Sequence, residues 1–279
     1  MCRLLAFAGP TPGTFAQAVG AAETADFQRL ARLHGDGWGV MWNRDDPELP
    51  SLARYRAHFD GQDDAALTRA LTACVGRAGV AHLRMATAGL PVEVGNTHPF
   101  IDGTFGMAHN GTIVSREVLR SWLSDDSRRG LTGTTDSELY FALVRERVRD
   151  GETLSDAVAG VVGAVGSIEP QCSLNAVFLS PFEMVVVRSS THAPIPVTHF
   201  VERGFALTEL PLHHLDEYYR MSMLRRSDGA VVFASSGLDT TGWDELPADS
   251  LTHVDLATMA VTTRSLLLGA PVLPLSAAA

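Results

Sequence analysis

Short apolar runs with the length of buried β-strands occur at both ends of this chain, and segments with helical spacing lie between them. Residues 4–8 form one such run almost at the first residue, and residues 252–256 and 260–265 are strand candidates near the other end. Residues 137–149 and 154–165 have helical spacing. Strands and helices that are grouped in this way favour an α+β fold over a strictly alternating parallel sheet.

The same patterns predict the remaining elements. Strands are predicted at residues 38–42, 52–59, 79–84, 105–109, 174–179, 184–188 and 230–234, and helices at residues 14–33, 65–74 and 118–123. No break in composition, low-complexity linker or internal repeat divides the chain. We therefore expect a single domain over residues 1–279.

Composition excludes several classes of protein. The chain has 22 Lys and Arg against 32 Asp and Glu, so its formal charge of −10 argues against a nucleic-acid partner, which needs a basic face. No apolar stretch reaches the roughly 18 residues of a membrane span, and the run after Arg3 is too short for a signal peptide. Three widely spaced cysteines, Cys2, Cys74 and Cys172, cannot form a disulfide framework. We expect a cytoplasmic protein without a membrane partner.

Cys2 is the first candidate for chemistry. A cysteine taken alone is more often a small buried hydrophobic residue than a nucleophile. Removal of Met1 would place a free α-amine beside the thiol, and the ordinary pKa of such an amine is roughly 7.7–8.0. A thiol with a neighbouring base is an activated nucleophile. While Met1 remains, that nitrogen belongs to a peptide bond and cannot act as the base.

Four motifs after Cys2 carry a resemblance to a known family. They are Ala81-His82-Leu83-Arg84, Asn96-Thr97-His98-Pro99-Phe100, Ala108-His109-Asn110-Gly111 and Thr135-Asp136-Ser137-Glu138. In this order they resemble the class II glutamine amidotransferases, whose N-terminal cysteine hydrolyses a γ-glutamyl amide. The start Met1-Cys2-Arg3-Leu4-Leu5 and the motif Asp36-Gly37-Trp38-Gly39 are most similar to a stand-alone branch. That branch includes the amidohydrolase that removes a glutamate cap in ergothioneine biosynthesis.

The resemblance implies a fold and an oxyanion hole. The fold is a four-layer αββα sandwich of the N-terminal nucleophile hydrolase type, with two mainly antiparallel sheets face to face. The oxyanion hole of the family maps onto the Asn110 side chain and the Gly111 backbone N–H. Asn110-Gly111 is also a strong signal for a type I′ hairpin turn, and both interpretations can hold at once.

The resemblance also implies how the substrate's amino-acid head is held. Arg84 is assigned to the α-carboxylate, whose two oxygens its planar fork can bind. The alternative is a surface or ion-paired arginine, but a charge within the apolar run 80–85 needs a partner, which favours a ligand. Asp136 is assigned to the α-ammonium, but Thr135-x-x-Glu138 is also a capping box that favours a helix start there. Thr87 is expected to assist through its hydroxyl, and His98 to line the pocket.

Histidines near a cysteine raise the question of a metal. The spacings of His82, His98 and His109 match no closed zinc pattern, and an amine-activated thiol needs no metal, so we predict neither a metal nor a cofactor. His213 and His214 are predicted to be a solvated pair, and Cys74 and Cys172 to be unreactive.

These features predict an amidohydrolase that cleaves glutamine or a γ-glutamyl-capped metabolite through a thioester. No synthetase domain is expected within the 279 residues. The alternatives are an ammonia-supplying glutaminase subunit of a separate synthase, a γ-glutamyl transferase, and a non-catalytic glutamine-binding protein. This sequence departs from the stand-alone branch at Met85, Ala88 and Ser235-Ser236-Gly237, next to the expected pocket. The sequence therefore does not predict the leaving group.

Overall fold

The computed structural model describes residues 2–44, 48–87 and 89–266, and its strands form two antiparallel sheets. The first sheet contains, in spatial order, β11 (Asp244–Glu245), β9 (Met221–Arg225), β10 (Val231–Ser235), β1 (Arg3–Gly13), β4 (Gly76–Leu83), β2 (Trp38–Asn43) and β3 (Leu52–Ala57). The second contains β13 (Val261–Ser265), β12 (Ser250–Asp255), β8 (Glu183–Arg188), β7 (Asn175–Leu179), β6 (Gly106–Asn110) and β5 (Phe100–Ile101).

Helices cover the outer face of each sheet. Those against the first sheet are α1 (Phe15–Ala18), α2 (Ala21–Arg29) and α3 (Ala65–Ala73), and those against the second are α4 (Arg116–Trp122), α6 (Asp136–Arg149) and α7 (Leu154–Ile168). Two short helices, α5 (Asp125–Arg129) and α8 (Val197–Glu202), lie in connections. Side-chain oxygens cap several helix starts by accepting a backbone N–H, as Thr135 does for α6 and Thr153 for α7.

Strand β1 shows how the layers arise from the sequence. Successive strand residues point to opposite faces, so Leu4 and Ala6 pack between the two sheets while Leu5 and Phe7 pack against the helices. Both faces of β1 are buried over residues 3–9, which explains the apolar run in this part of the strand. The predicted α+β architecture, a four-layer αββα sandwich, is confirmed.

Most predicted elements are present, and the differences have local causes. The helix expected over residues 14–33 is divided at Gly20, whose φ of 122° lies outside the helical region, so α1 and α2 are separate. Strand β4 ends at Leu83, one residue before the predicted end. Strand β9 and helix α8 had no counterpart in the prediction, because their short mixed sequences show neither periodicity clearly.

The residues of the sequence motifs lie together at one end of the sandwich. Strand β1 begins there, while β4 and β6 run antiparallel to their neighbours and finish there, as shown by the pairing of Arg3 with Leu83. The connection between β8 and β9 closes over this end, where Phe200 and Tyr218 pack against Leu33 and Met85. In the described part of the chain, no helix combines the length and apolar character needed to cross a membrane.

Candidate active site

Cys2 lies buried immediately before β1, 6% exposed, with its backbone held on both sides. Its N–H donates to Oδ1 of Asn110 over 2.9 Å, and its carbonyl oxygen accepts from Nε of Arg3 over 2.6 Å. The sulfur lies 3.9 Å from the carbonyl oxygen of Met85. The thiol is therefore fixed between the ends of β4 and β6.

Arg3 braces Cys2 and was not predicted. Its guanidinium is fully buried, donates over 2.7 Å to the carbonyl oxygen of Ser236, and lies 3.9 Å from the centre of the Tyr218 ring. Among the described residues no carboxylate forms an ion pair with it. Carbonyl oxygens and an aromatic face thus stabilise this buried charge. The sequence signal that could have identified Arg3 is a charged residue at the start of an apolar strand.

Asn110 ends β6 and uses the two sides of its amide differently. Its Oδ1 accepts from Cys2, as described, whereas its Nδ2 is buried without a hydrogen-bond partner in the described structure. Asn110 does not have a positive φ, so the type I′ turn that its sequence also allowed is absent at this position. The chain instead leaves β6 toward α4. A buried amide donor next to a thiol is therefore available to a bound group.

Gly111 is required by a close approach between backbones. A Cβ at this position would lie 1.9 Å from the carbonyl oxygen of Ser173 and 2.6 Å from Nε2 of His109. The Ser173 hydroxyl also donates to the carbonyl oxygen of Asn110 over 2.8 Å. The backbone at the end of β6 thus packs directly against the residues that precede β7, and no side chain fits at position 111.

Arg84 follows β4 and is almost fully buried, at 3% exposed. Its guanidinium donates to the carbonyl oxygens of Asp36, over 3.4 Å, and Pro91, over 3.2 Å. Burial lowers the pKa of the guanidinium, while the Cys2 thiol and the Asp36 and Asp136 carboxylates act in the opposite direction. No carboxylate pairs with Arg84 among the residues that the structure describes, so the alternative of an ordinary ion pair does not apply.

The Asp36-Gly37-Trp38-Gly39 motif positions two loops of the site. Oδ2 of Asp36 accepts from the N–H of Ala86 over 2.7 Å and also pairs with Arg203. Gly37 has a φ of 135°, which an L side chain rarely adopts. A Cβ on Gly39 would lie 2.1 Å from the carbonyl oxygen of His98. The motif therefore holds the residues after Arg84 and lets the His98 segment approach β2.

Asp136 is the first residue of α6 and is 5% exposed. Its Oδ2 accepts from the N–H of Ile113 over 2.6 Å, which ties the loop after Asn110 to the helix. Thr135 caps the N–H of Glu138, but the Glu138 carboxylate turns to other backbone N–H groups, so half of the predicted capping box forms. Asp136 thus has both a structural contact and a position near Arg84.

Two further predicted site residues, Thr87 and His98, lie at the same end of the sandwich as Cys2. Oγ1 of Thr87 lies 3.4 Å from Oγ1 of Thr112, a contact between the loops that follow β4 and β6. His98 is buried, with Nδ1 3.0 Å from Nε2 of His82. One sulfur or nitrogen atom from each of Cys2, His82 and His98 lies within 4.8 Å of the other two. His98 therefore borders the thiol.

His109 and His214 have other environments. His109 faces the helices, with Nδ1 2.8 Å from the Ser137 hydroxyl and Nε2 2.9 Å from the Ser173 carbonyl oxygen. The prediction that His214 is solvated is wrong: it is fully buried, with its ring 5.2 Å from that of Tyr218. Burial lowers the pKa of His214 to about 3. The polar residues around His214 in the sequence predicted exposure. Its burial depends on how the connection between β8 and β9 folds, which the local sequence does not show.

The other two cysteines differ from Cys2 in environment. Burial raises the pKa of the Cys172 thiol to about 12 and also raises that of the Cys74 thiol. Both shifts favour the neutral thiol, which is neither the nucleophile nor the metal ligand. They agree with the prediction that these two cysteines are unreactive.

An αββα sandwich with a cysteine just before an inner strand is the architecture of the N-terminal nucleophile hydrolases. The family model described as glutamine amidotransferases class-II matches residues 1–265, and this chain belongs to that family. It is therefore an enzyme, and the resemblance drawn from the sequence motifs is confirmed.

Relatives differ in how much of their length they share with this chain. The γ-glutamyl-hercynylcysteine sulfoxide hydrolase of Mycolicibacterium smegmatis is 26% identical over 235 residues, which cover 84% of each protein. The glutamine–fructose-6-phosphate aminotransferase of Vibrio cholerae is 34% identical over 140 residues, but these are 48% of this chain and 21% of that relative. A class II glutamine aminotransferase domain protein from Silicibacter pomeroyi shares the fold, with a TM-score of 0.63 at 18% identity over 97% of this chain and 100% of that one.

Proposed function

We propose that this enzyme hydrolyses a γ-glutamyl amide through a thioester on Cys2, after removal of Met1. The observation that carries the proposal is the Asn110 amide, which anchors Cys2 through its oxygen and leaves Nδ2 buried without a partner. An unpartnered buried donor costs about 1–3 kcal/mol. That cost is recovered when an oxyanion forms next to the thiol and accepts from Nδ2.

The α-amine of Cys2 takes the thiol proton, and the sulfur attacks the γ-carbonyl carbon of the substrate. The carbonyl oxygen becomes an oxyanion that accepts from Nδ2 of Asn110 and from the N–H of Gly111. When the C–N bond breaks, the leaving amine receives the proton held by the α-ammonium. Water then attacks the thioester, giving glutamate and restoring the thiol.

Two buried charges suit the two ends of a glutamyl head. Arg84 has no carboxylate partner in the described chain and offers two Nη groups to an α-carboxylate. Asp136 engages the Ile113 N–H through Oδ2, and its other oxygen is assigned to the α-ammonium. The Thr87 hydroxyl is assigned a supporting hydrogen bond. Opposite charges at opposite ends would orient the γ-amide toward Cys2.

A stand-alone hydrolase is favoured over an ammonia-supplying subunit or a transferase. The match to the mycobacterial hydrolase extends over 84% of both proteins, whereas the match to the aminotransferase covers about a fifth of that longer relative. A non-catalytic glutamine-binding protein has no need of a thiol beside an unpartnered amide donor. The substrate class is thus a small γ-glutamyl amide.

The test combines intact mass with glutamate release. Purified enzyme is incubated separately with glutamine and with γ-glutamyl-hercynylcysteine sulfoxide, the compound that names the mycobacterial relative. We expect loss of Met1, one adduct with a glutamine-like electrophile, and glutamate release that disappears in Cys2→Ser but persists in Cys172→Ala. Retained turnover in Cys2→Ser, or full turnover by a chain that keeps Met1, contradicts the mechanism.

The identity of the better substrate separates the alternatives. Faster release from the capped metabolite supports the stand-alone hydrolase. Glutamine turnover that appears only with a separate synthase supports the ammonia-supplying subunit. Glutamine binding without glutamate release supports the binding protein.

A further inference from the structure

The segment of residues 111–115 connects the candidate oxyanion hole at the end of β6 to the start of α4. Ile113 in its middle is buried, at 1% exposed, but Val114 is 79% exposed, so that side chain contributes little packing. The first N–H groups of a helix have no partner within the helix. Ser115, the N-cap of α4, does not cap with its own side chain. The α4 end of this segment therefore depends on groups from elsewhere in the molecule.

Glu169 supplies the acceptors for these N–H groups. Its Oε1 accepts from the N–H of Val114 and its Oε2 from the N–H of Ser115, each over 2.8 Å. The two donors are consecutive in the chain and lie 55 and 54 residues before Glu169. Hydrogen bonds to an ionised carboxylate are stronger than those between neutral groups. The residue after α7 thus caps the start of α4.

The position of Glu169 in its own helix does not explain a carboxylate there. Glu169 is the C-cap of α7, and the helix dipole disfavours a negative charge at a C-terminus. Among the residues that the structure describes, no Lys, Arg or His forms an ion pair with it. The hydrogen bonds to Val114 and Ser115 are therefore the interactions that this carboxylate provides.

The turn that contains Glu169 also contacts the start of the same segment. The N–H of Cys172 donates to the carbonyl oxygen of Glu169 over 3.1 Å, which closes this turn. The Ser173 hydroxyl, at the other end of the turn, donates to the carbonyl oxygen of Asn110 over 2.8 Å. The Ser173 carbonyl oxygen packs against Gly111. A single turn of chain thus holds the segment at both of its ends.

We propose that Glu169 is a positioning residue that fixes the Gly111 N–H where the oxyanion forms. This inference rests on the proposed function, in which Gly111 and Asn110 stabilise that oxyanion. Glu169 acts through the backbone of Val114 and Ser115. Without these two hydrogen bonds the segment is no longer held at its α4 end, and the Gly111 donor can move. A displacement of about 1 Å at a catalytic group can cost about 10²-fold in rate.

Glu169→Ala is compared with Glu146→Ala, which is a matched control. Oε1 of Glu146 accepts from the N–H of Ser124, the N-cap of α5, over 2.9 Å. The control therefore also removes a carboxylate that caps another helix. Glu146 lies ten residues after Asp136 in α6, about 15 Å along the helix axis. Circular dichroism and thermal unfolding check the fold of both variants.

Steady-state kinetics separate positioning from a purely structural role. We expect kcat for glutamate release to fall about tenfold or more in Glu169→Ala with KM changed less than about threefold, because an oxyanion donor acts in the transition state. Glu146→Ala should keep the wild-type kcat, even where both variants lose similar thermal stability. Equal kcat values in the two folded variants overturn the proposal. A rise in KM without a fall in kcat also overturns it.

Glu169→Gln provides a second variant in case Glu169→Ala does not fold. The amide keeps the shape of the side chain but replaces one acceptor oxygen by a donor, so one of the two hydrogen bonds is lost. We expect kcat to fall about threefold or more in this variant, again with little change in KM. A folded Glu169→Gln variant with the wild-type kcat overturns the proposal.

Backbone NMR tests the positioning without any substrate. In ¹⁵N-labelled, deuterated protein, the order parameter of the Gly111 N–H should fall from about 0.85 to below about 0.6 in Glu169→Ala and stay unchanged in Glu146→Ala. An unchanged order parameter together with an unchanged chemical shift at Gly111 overturns the proposal.

The two measurements distinguish this proposal from the proposed function. A wild-type protein that releases no glutamate contradicts the hydrolase, and the NMR result at Gly111 then decides the role of Glu169 alone. Glutamate release that is unaffected by Glu169→Ala contradicts the positioning role and leaves the hydrolase intact. A lower kcat together with a mobile Gly111 N–H supports both.

Discussion

At the scale of single residues, the Asn110 amide has one structural function and one proposed catalytic function. Oδ1 holds the Cys2 N–H, and Nδ2 is a buried donor with no partner in the described structure. The two functions can be separated by substitution, because an aspartate keeps an oxygen acceptor while it removes the donor. Loss of the donor should therefore affect the transition state more than the ground state.

The first prediction concerns Asn110→Asp and Asn110→Ala. We expect kcat for glutamate release to fall about 10²–10³-fold in both variants with KM changed little, because an oxyanion-hole donor acts mainly in the transition state. Steady-state kinetics and thermal unfolding measured together check this. A fall of less than threefold in both folded variants would show that Nδ2 does not contact the oxyanion.

Arg84 is the second residue whose buried charge lacks a carboxylate partner in the described chain. Arg84→Lys keeps the charge but loses the planar fork. We expect KM for a γ-glutamyl substrate to rise about 10–100-fold, from a loss of about 1.5–3 kcal/mol for a charge-assisted hydrogen-bond pair. The exposed substitution Arg225→Lys is the control. Equal KM values in the two variants would remove Arg84 from substrate binding.

At the scale of elements, the contact between the end of β6 and the residues before β7 sets the geometry of the site. Gly111 lies so close to the Ser173 backbone that a Cβ would overlap its carbonyl oxygen. Because the opposing atoms are backbone, neither side can move without disturbing the pairing of Asn110 with Asn175. The lack of a side chain at Gly111 is thus needed for packing, in addition to the proposed role of its N–H in the oxyanion hole.

Gly111→Ala should therefore lower the free energy of unfolding, by about 1–3 kcal/mol for overpacking, together with activity. Gly130→Ala is the matched control, since the nearest atoms to a Cβ there are 3.6 Å away and its φ is not positive. Urea denaturation of both variants measures the difference. A Gly111→Ala variant as stable as Gly130→Ala would mean that the two backbones separate easily.

At the scale of the whole molecule, the sandwich buries several neutral histidines. Burial lowers the pKa values of His82, His98 and His109, and lowers that of His214 to about 3 with a contribution from the nearby Arg3 charge. The unfolded chain takes up these protons near pH 6.5, whereas the folded protein does not. Stability from these groups is therefore complete above pH 6.5 and is lost as the pH falls below it.

We expect the free energy of unfolding to decrease between pH 6.5 and pH 5, by at most about 1.4 kcal/mol per pH unit for each buried histidine. His214→Gln removes one titrating group and should make the pH dependence shallower, while the exposed His192→Gln should not. Urea denaturation at several pH values checks both. Identical slopes in the wild-type protein and His214→Gln would show that His214 is protonated in the folded state.

The apolar runs of the sequence predicted an α+β fold, because periodic apolar runs specify buried strands. The αββα sandwich and the residues of the candidate site followed from the resemblance of the motifs to the class II glutamine amidotransferases. The roles of Cys2, Arg84, Asn110, Gly111 and Asp136, the single domain and the cytoplasmic location stay predictions. Tertiary structure decided the burial of His214, the bracing of Cys2 by Arg3, and the meeting of His82 and His98 beside the thiol. These depend on contacts between residues far apart in sequence, which no local periodicity encodes.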